Sequence, residues 1–142
     1  AVEIITTIDD GYWRALGQPD GPARMQSGEL RPDWRKRGFL RGLTDERYTF
    51  ARYFSPLAPN RPRTVEELFA ANDVVLYDRA NDPGEMTNLA YAPEHRETVA
   101  ALLARLEALI DAEIGADEHV WITERPRLLG YPTWAGDSLA PA

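Results

Sequence analysis

Hydrophobic and polar positions change their spacing along the chain, and each change predicts an element. The clearest spacing is helical. Val99, Leu102, Leu103, Leu106, Ile110 and Ile114 recur along one face. Pro93 suits a first helical turn, Glu94 sits near the positive end of the helix dipole, and Gly115 supplies a stop. The pattern predicts a long helix over 93–115 whose apolar stripe covers a sheet.

Strand-like spacing fills much of the chain before it. Val2 to Ile8 is rich in β-branched residues and reads as a strand ended by Asp9-Asp10-Gly11. Gly17 to Pro32 is polar and broken by Gly and Pro, so it reads as an irregular lead-in, with Tyr12 and Trp13 packed beneath it. Phe39–Leu43 and Arg47–Phe54 flank Thr44-Asp45-Glu46 and predict a β-hairpin. In its second strand Tyr48, Phe50, Arg52 and Phe54 share one face, while Thr49, Ala51 and Tyr53 share the other. Aromatic residues on both faces predict a sheet covered on both sides. Ser55 to Pro62 carries three prolines and must be an extended loop. Thr64 and Glu67 form a capping-box pattern for a short helix from Val65 to near Asn72. Val74–Tyr77 then reads as a buried strand. In the turn Asn81-Asp82-Pro83-Gly84, Pro83 fixes φ, Gly84 tolerates a positive φ, and Asp82 can bond the backbone that follows it.

The sum is an α+β fold: a small antiparallel sheet of about four strands, packed against one long helix and followed by an irregular aromatic tail. A chain of 142 residues with 44% hydrophobic and 27% charged residues is of single-domain size. It divides into a strand and irregular lead-in (1–36), the hairpin and central strand (37–90), the long helix (93–115) and an arm (116–142). In the arm Trp121, Tyr131 and Trp134 predict packing, and Val120-Trp121-Ile122 an edge strand. No apolar run is long enough for a transmembrane helix, and no signal-peptide pattern is visible. The chain begins at Ala1 rather than Met, so it reads as a piece of a longer protein. Cysteine is absent, which removes disulfides, thiolate metal sites and cysteine nucleophiles while leaving the compartment open.

Charge is unevenly placed. Net charge is −7, yet residues 24–63 hold ten basic and four acidic residues, whereas residues 64–142 hold five Arg and fifteen acids. Such asymmetry can mark an anion-binding face; the plainer alternative is docking on an acidic surface, including the rest of this chain. The overall acidic balance argues against nucleic acid as a partner.

Leu76-Tyr77-Asp78, then Asp82-Pro83-Gly84-Glu85, then Asn88-Leu89-Ala90 resembles the tail signature of the sulfatase family, arylsulfatase type, within the alkaline-phosphatase superfamily. The hairpin adds to the resemblance: Arg41, Arg47-Tyr48, Phe50 and Arg52-Tyr53-Phe54 match the family's Arg-rich strands, although Thr49 stands where Lys is usual. The resemblance covers about Arg37 to Ala90, more loosely to Ile114, and does not inform the arm. It implies a C-terminal subdomain, a small antiparallel sheet packed with a helix, whose partner is a catalytic N-terminal domain and which can also build a homo-oligomer. In that family Leu76, Tyr77, Asp78, Asp82, Pro83, Glu85, Asn88 and Leu89 would be structural. The nucleophile is a formylglycine made from Cys or Ser in Cys/Ser-x-Pro-x-Arg, beside a calcium ion. The parent, not this chain, is expected to supply both, since Ser55-Pro56 lacks that spacing.

The remaining candidates each have a plain alternative. Arg35-Lys36-Arg37 could contact a sulfated or phosphorylated anion, or simply be a solvated or interdomain charge run. Asp9-Asp10 could ligate a divalent ion, but adjacent acids after a strand are more simply a solvated turn. Asp78, Asp82 and Glu85 lack the spacing of a calcium loop and fit turn and capping roles. His95, in a first helical turn, reads as surface; His119 is far away in sequence. Trp121, Tyr131 and Trp134 could form a sugar-stacking platform or ordinary packing. The sequence therefore predicts the non-catalytic tail of a sulfuric ester hydrolase. The alternatives are a tail of a related phosphonate or phosphate-ester hydrolase, or a freestanding α+β module for a polyanion or sugar.

Overall fold

Three antiparallel ladders organise the chain. In the computed structural model, which describes residues 2–5, 9–55 and 57–113, a four-stranded sheet runs in sequence order. The strands are β1 (Val2–Ile5), β2 (Phe39–Thr44), β3 (Tyr48–Phe54) and β4 (Asp73–Asp78). The helices are α1 (Asp10–Leu16), α2 (Gly21–Gln26), α3 (Val65–Ala71) and α4 (Arg96–Glu113). The α+β architecture with one long C-terminal helix follows from the sequence pattern.

The hairpin forms as its alternation demands. Asp45 closes it by accepting from the backbone N–H groups of Arg47 (2.9 Å) and Tyr48 (2.7 Å). Phe39 pairs with Phe54, Arg41 with Arg52, and Leu43 with Phe50. On β3 the two faces differ: Phe50, Arg52 and Phe54 are buried, whereas Thr49 and Tyr53 on the other side are only half-buried around a buried Ala51. Gly42 faces Ala51 in the ladder, and a Cβ there would meet Phe50 O at 2.8 Å and Ala51 Cβ at 2.9 Å.

Leu43, Phe50, Val74 and Leu76 from the sheet join Val65 and Leu68 of α3 and Val99, Leu102, Leu103, Leu106 and Ile110 of α4 in one core. Each fully buried side chain contributes about 1.5–3 kcal/mol before ordering costs. Pro93–His95 forms a single 3-10 turn, and α4 proper starts at Arg96. Thr64 and Glu67 make the full capping box of α3, and Asn72 ends that helix.

Three expectations are corrected. The lead-in is not irregular: Asp9 caps α1 by accepting from Tyr12 N (3.2 Å), and Pro22 lies in the first turn of α2. Both helices are under two turns long, too short for a periodic stripe to show. β4 is not the central strand but the sheet's edge, pairing with β3 alone; Val74, Leu76 and Asp78 are buried, and Val75 and Tyr77 are half-exposed. Trp13 does not pack down with the buried Tyr12 but is 48% exposed. In the turn after β4 the positive φ falls at Glu85 (52°). Thr6 to Ile8, Ile114, Gly115 and the arm with its aromatic residues and edge strand lie outside the described residues.

Candidate functional site

The two segments that carry the family resemblance are far apart in sequence and adjacent in space. Tyr48 is the ladder partner of Asp78, and Thr49 of Tyr77. Arg47 forks onto Asp78, with Nε 3.1 Å from both carboxylate oxygens and Nη2 2.6 Å from Oδ2. The same carboxylate accepts from Asn81 Nδ2 (2.9 Å) and Ala80 N (3.2 Å). The Arg47 guanidinium and these donors hold the Asp78 carboxyl at about 2, below the ordinary carboxylate range. Thr49 donates its hydroxyl to Glu85 Oε1 at 2.5 Å and so ties the turn to the sheet.

The rest of the signature closes the sheet edge. Asn88 behaves like one residue of a fifth strand: its Oδ1 accepts from Leu76 N (3.0 Å) and its Nδ2 donates to Val74 O (2.9 Å). Leu89 N donates to Leu76 O (2.8 Å), and Val74 N donates to the Tyr91 hydroxyl (3.1 Å). An open edge is a template for unwanted pairing, and this segment removes it. Asp82 Oδ2 accepts from Met86 N and Thr87 N, both at 2.8 Å, and Glu85 N closes the turn on Asp82 O at 3.0 Å. Pro83 is exposed at the tip of this turn, so Leu76, Tyr77, Asp78, Asp82, Pro83, Glu85, Asn88 and Leu89 form one strand, turn and edge-capping unit.

The basic run is engaged by carboxylates of the same chain. Arg35 forks onto Asp33 (Nε–Oδ1 2.8 Å, Nη2–Oδ2 3.1 Å), Lys36 Nζ lies 2.7 Å from Asp9 Oδ1, and Arg37 Nη1 lies 2.5 Å from Asp73 Oδ1. Asp9 is not a solvated turn residue: it is buried, and also accepts from Asp33 N at 2.9 Å. The Lys36 hydrogen bond and the backbone donors lower its carboxyl to about 2. Asp33 is lowered as well, chiefly by the Arg35 hydrogen bond.

A buried polar network escaped the sequence reading. Arg52 is fully buried and donates from Nη2 to Glu107 Oε1 (3.1 Å) and from Nη1 to Asn72 Oδ1 (3.2 Å). Arg61 reaches the other oxygen of Glu107 (3.1 Å) and Asp111 (2.5 Å). Asn72 Nδ2 donates to Asn60 Oδ1 at 2.9 Å. The signal was present: Arg52 alternates inward between Phe50 and Phe54, and Glu107 sits within the stripe of Leu103, Leu106 and Ile110.

No group of three or more His, Asp or Glu side chains among the described residues is arranged to hold a metal ion. Asp78, Asp82 and Glu85 spend their oxygens on Arg47, on backbone N–H groups and on Thr49. Ser55 donates to Trp34 O (2.8 Å) and accepts from Leu57 N (3.1 Å). These residues do not fit a calcium and formylglycine centre, and no step is derived through one. His119, Trp121, Tyr131 and Trp134 lie outside the described residues. Comparison with protein-family models, curated proteins and solved structures finds no match to this chain.

Proposed function

We propose that this chain is the C-terminal subdomain of a sulfatase, a sulfuric ester hydrolase. In this reading it completes the fold and borders the active-site cleft, and it does no chemistry alone. The observation that carries the reading is the convergence of its two signature segments. Arg47-Tyr48 and Tyr77-Asp78, two separate parts of the resemblance, meet on neighbouring strands through the Arg47–Asp78 fork. Asp82, Glu85 and Asn88 each hold a specific backbone or side-chain partner around that fork. The catalytic N-terminal domain is then the main partner and the source of calcium and the formylglycine nucleophile.

The test joins the chain to whatever its coding frame carries upstream of Ala1. The expected result is a preceding segment containing Cys- or Ser-x-Pro-x-Arg, hydrolysis of an aryl sulfate by the joined protein, and no turnover by the 142-residue chain alone. A preceding segment with no such motif, or a joined protein inert to aryl sulfates, overturns the reading. Preference for an aryl phosphate or phosphonate over the sulfate moves the assignment to the related ester hydrolases of the same superfamily.

A further inference from the structure

A cleft of about 350 Å³ lies beside the basic run, lined by Arg35, Arg37, Ser55, Leu57, Ala58 and Ala71. Asp33 and Asp73, the carboxylates that hold the two guanidinium groups, are not among its lining residues. They hold the two cationic side chains in place, and Arg35 and Arg37 are themselves lining residues. Arg35 uses Nε and Nη2 on Asp33, and Arg37 uses Nη1 on Asp73. Nη1 of Arg35 and Nη2 of Arg37 therefore keep N–H donors that no described residue takes up. The rest of the wall is largely apolar: Leu57 is a large hydrophobic side chain left 37% exposed, beside Ala58 and Ala71. Ser55 pins the corner that presents Leu57, through its bonds to Trp34 O and Leu57 N.

We propose that this cleft binds a small amphiphilic anion. A single carboxylate or sulfonate head accepts from both guanidinium groups, and a flat apolar body lies on Leu57, Ala58 and Ala71. Each guanidinium has an uncommitted terminal nitrogen for such a head, so the head takes one charge-assisted bond from each arginine. An exposed ion contact is weak by itself, so useful affinity requires the apolar wall. A polyanion fits less well, since the neighbouring Lys36 is spent on Asp9 and two cations among the described residues line the cleft. The site goes beyond the hydrolase reading and does not depend on it, because binding is read on the chain alone, which is expected to show no turnover.

The experiment is a titration of the isotopically labelled 142-residue chain, followed by amide shifts, with 2-naphthalenesulfonate, neutral 2-naphthalenemethanol and sodium sulfate at matched ionic strength. The expected result is saturable binding of the sulfonate at about millimolar or lower concentration, with shifts centred on the amides of Arg35, Arg37, Ser55, Leu57, Ala58 and Ala71. Arg35→Ala and Arg37→Ala each weaken it about five- to tenfold. Leu57→Ser weakens the sulfonate while leaving the melting temperature unchanged. Arg35 is 83% exposed along its side chain, so its variant keeps the fold even where Arg37→Ala does not. Equal binding of the neutral alcohol, equal binding of sulfate alone, shifts elsewhere on the surface, or no saturation overturns the proposal.

Discussion

At the scale of single residues, Asn88 and Asp78 show how a polar side chain can stand in for backbone. Asn88 satisfies one donor and one acceptor of β4 with one amide. Asn88→Ala removes both partners at an exposed edge and is expected to cost about 1–3 kcal/mol in urea unfolding, with increased self-association. Asn88→Asp keeps the acceptor for Leu76 N and should fall between the two; a neutral Ala variant would show that water serves the edge equally well. Asp78 sets a pH dependence whose sign is fixed by its carboxyl lying at about 2 when folded, below the ordinary value of 3.8. The native state holds this proton less tightly than the unfolded chain, so the stabilisation is complete above about pH 4 and lost as pH falls towards 2. Asp9, also near 2, acts in the same direction. Melting temperature followed by circular dichroism should therefore drop steeply through this window, and Asp78→Asn should flatten part of the drop. An unchanged slope in that variant would exclude the Arg47–Asp78 fork as a source of acid sensitivity.

At the scale of elements, most of the fold was legible and the reasons are physical. The α4 stripe, the hairpin around Asp45 and the Thr64–Glu67 box each rest on a short-range rule that tertiary contacts do not overrule. Leu106→Asp places a carboxylate at a fully buried stripe position, and its expected outcome is loss of a cooperative melt. The misses needed long-range information. Strand order makes β4 an edge, which its apolar residues could not reveal, and α1 and α2 are too short to announce themselves. The candidate site was legible only in composition: Arg35, Lys36 and Arg37 were visible, but their partners Asp33, Asp9 and Asp73 include residues up to 36 positions away. The Arg52–Glu107 pair is a sheet-to-helix contact of the same kind. Glu107→Ala strands a buried guanidinium, with an expected loss of about 3–5 kcal/mol in chemical denaturation. The double change Arg52→Met with Glu107→Leu should recover most of that loss, because two apolar groups need no counter-charge. Failure of the double variant to recover would mean that Asn72 and Arg61 depend on the pair for their own placement.

At the scale of the whole molecule, the charge asymmetry is largely discharged within the fold. The basic segment 24–63 reaches acidic residues elsewhere through Lys36–Asp9, Arg37–Asp73, Arg47–Asp78, Arg52–Glu107 and Arg61–Asp111, while Arg105 returns the exchange to Asp45. A run that looks like an anion-binding stripe in sequence therefore presents few cations to a long polyanion. A face built for such a partner would instead hold several unengaged Lys and Arg side chains in line, each releasing counterions on binding and giving a steep salt dependence. The expected behaviour on a heparin column is weak retention, lost by about 0.15 M salt, where screening acts over about 8 Å. Asp33→Asn and Asp73→Asn release Arg35 and Arg37 from their partners, so both should raise the salt needed for elution without large loss of stability, since these pairs are partly exposed. Strong retention of the unaltered chain above that salt would show that intramolecular pairing does not neutralise the basic face. It would also favour a freestanding polyanion-binding module over the subdomain reading. Weak retention that the two Asn variants increase would locate the missing charge at the Arg35 and Arg37 pairs, the same two groups that line the cleft.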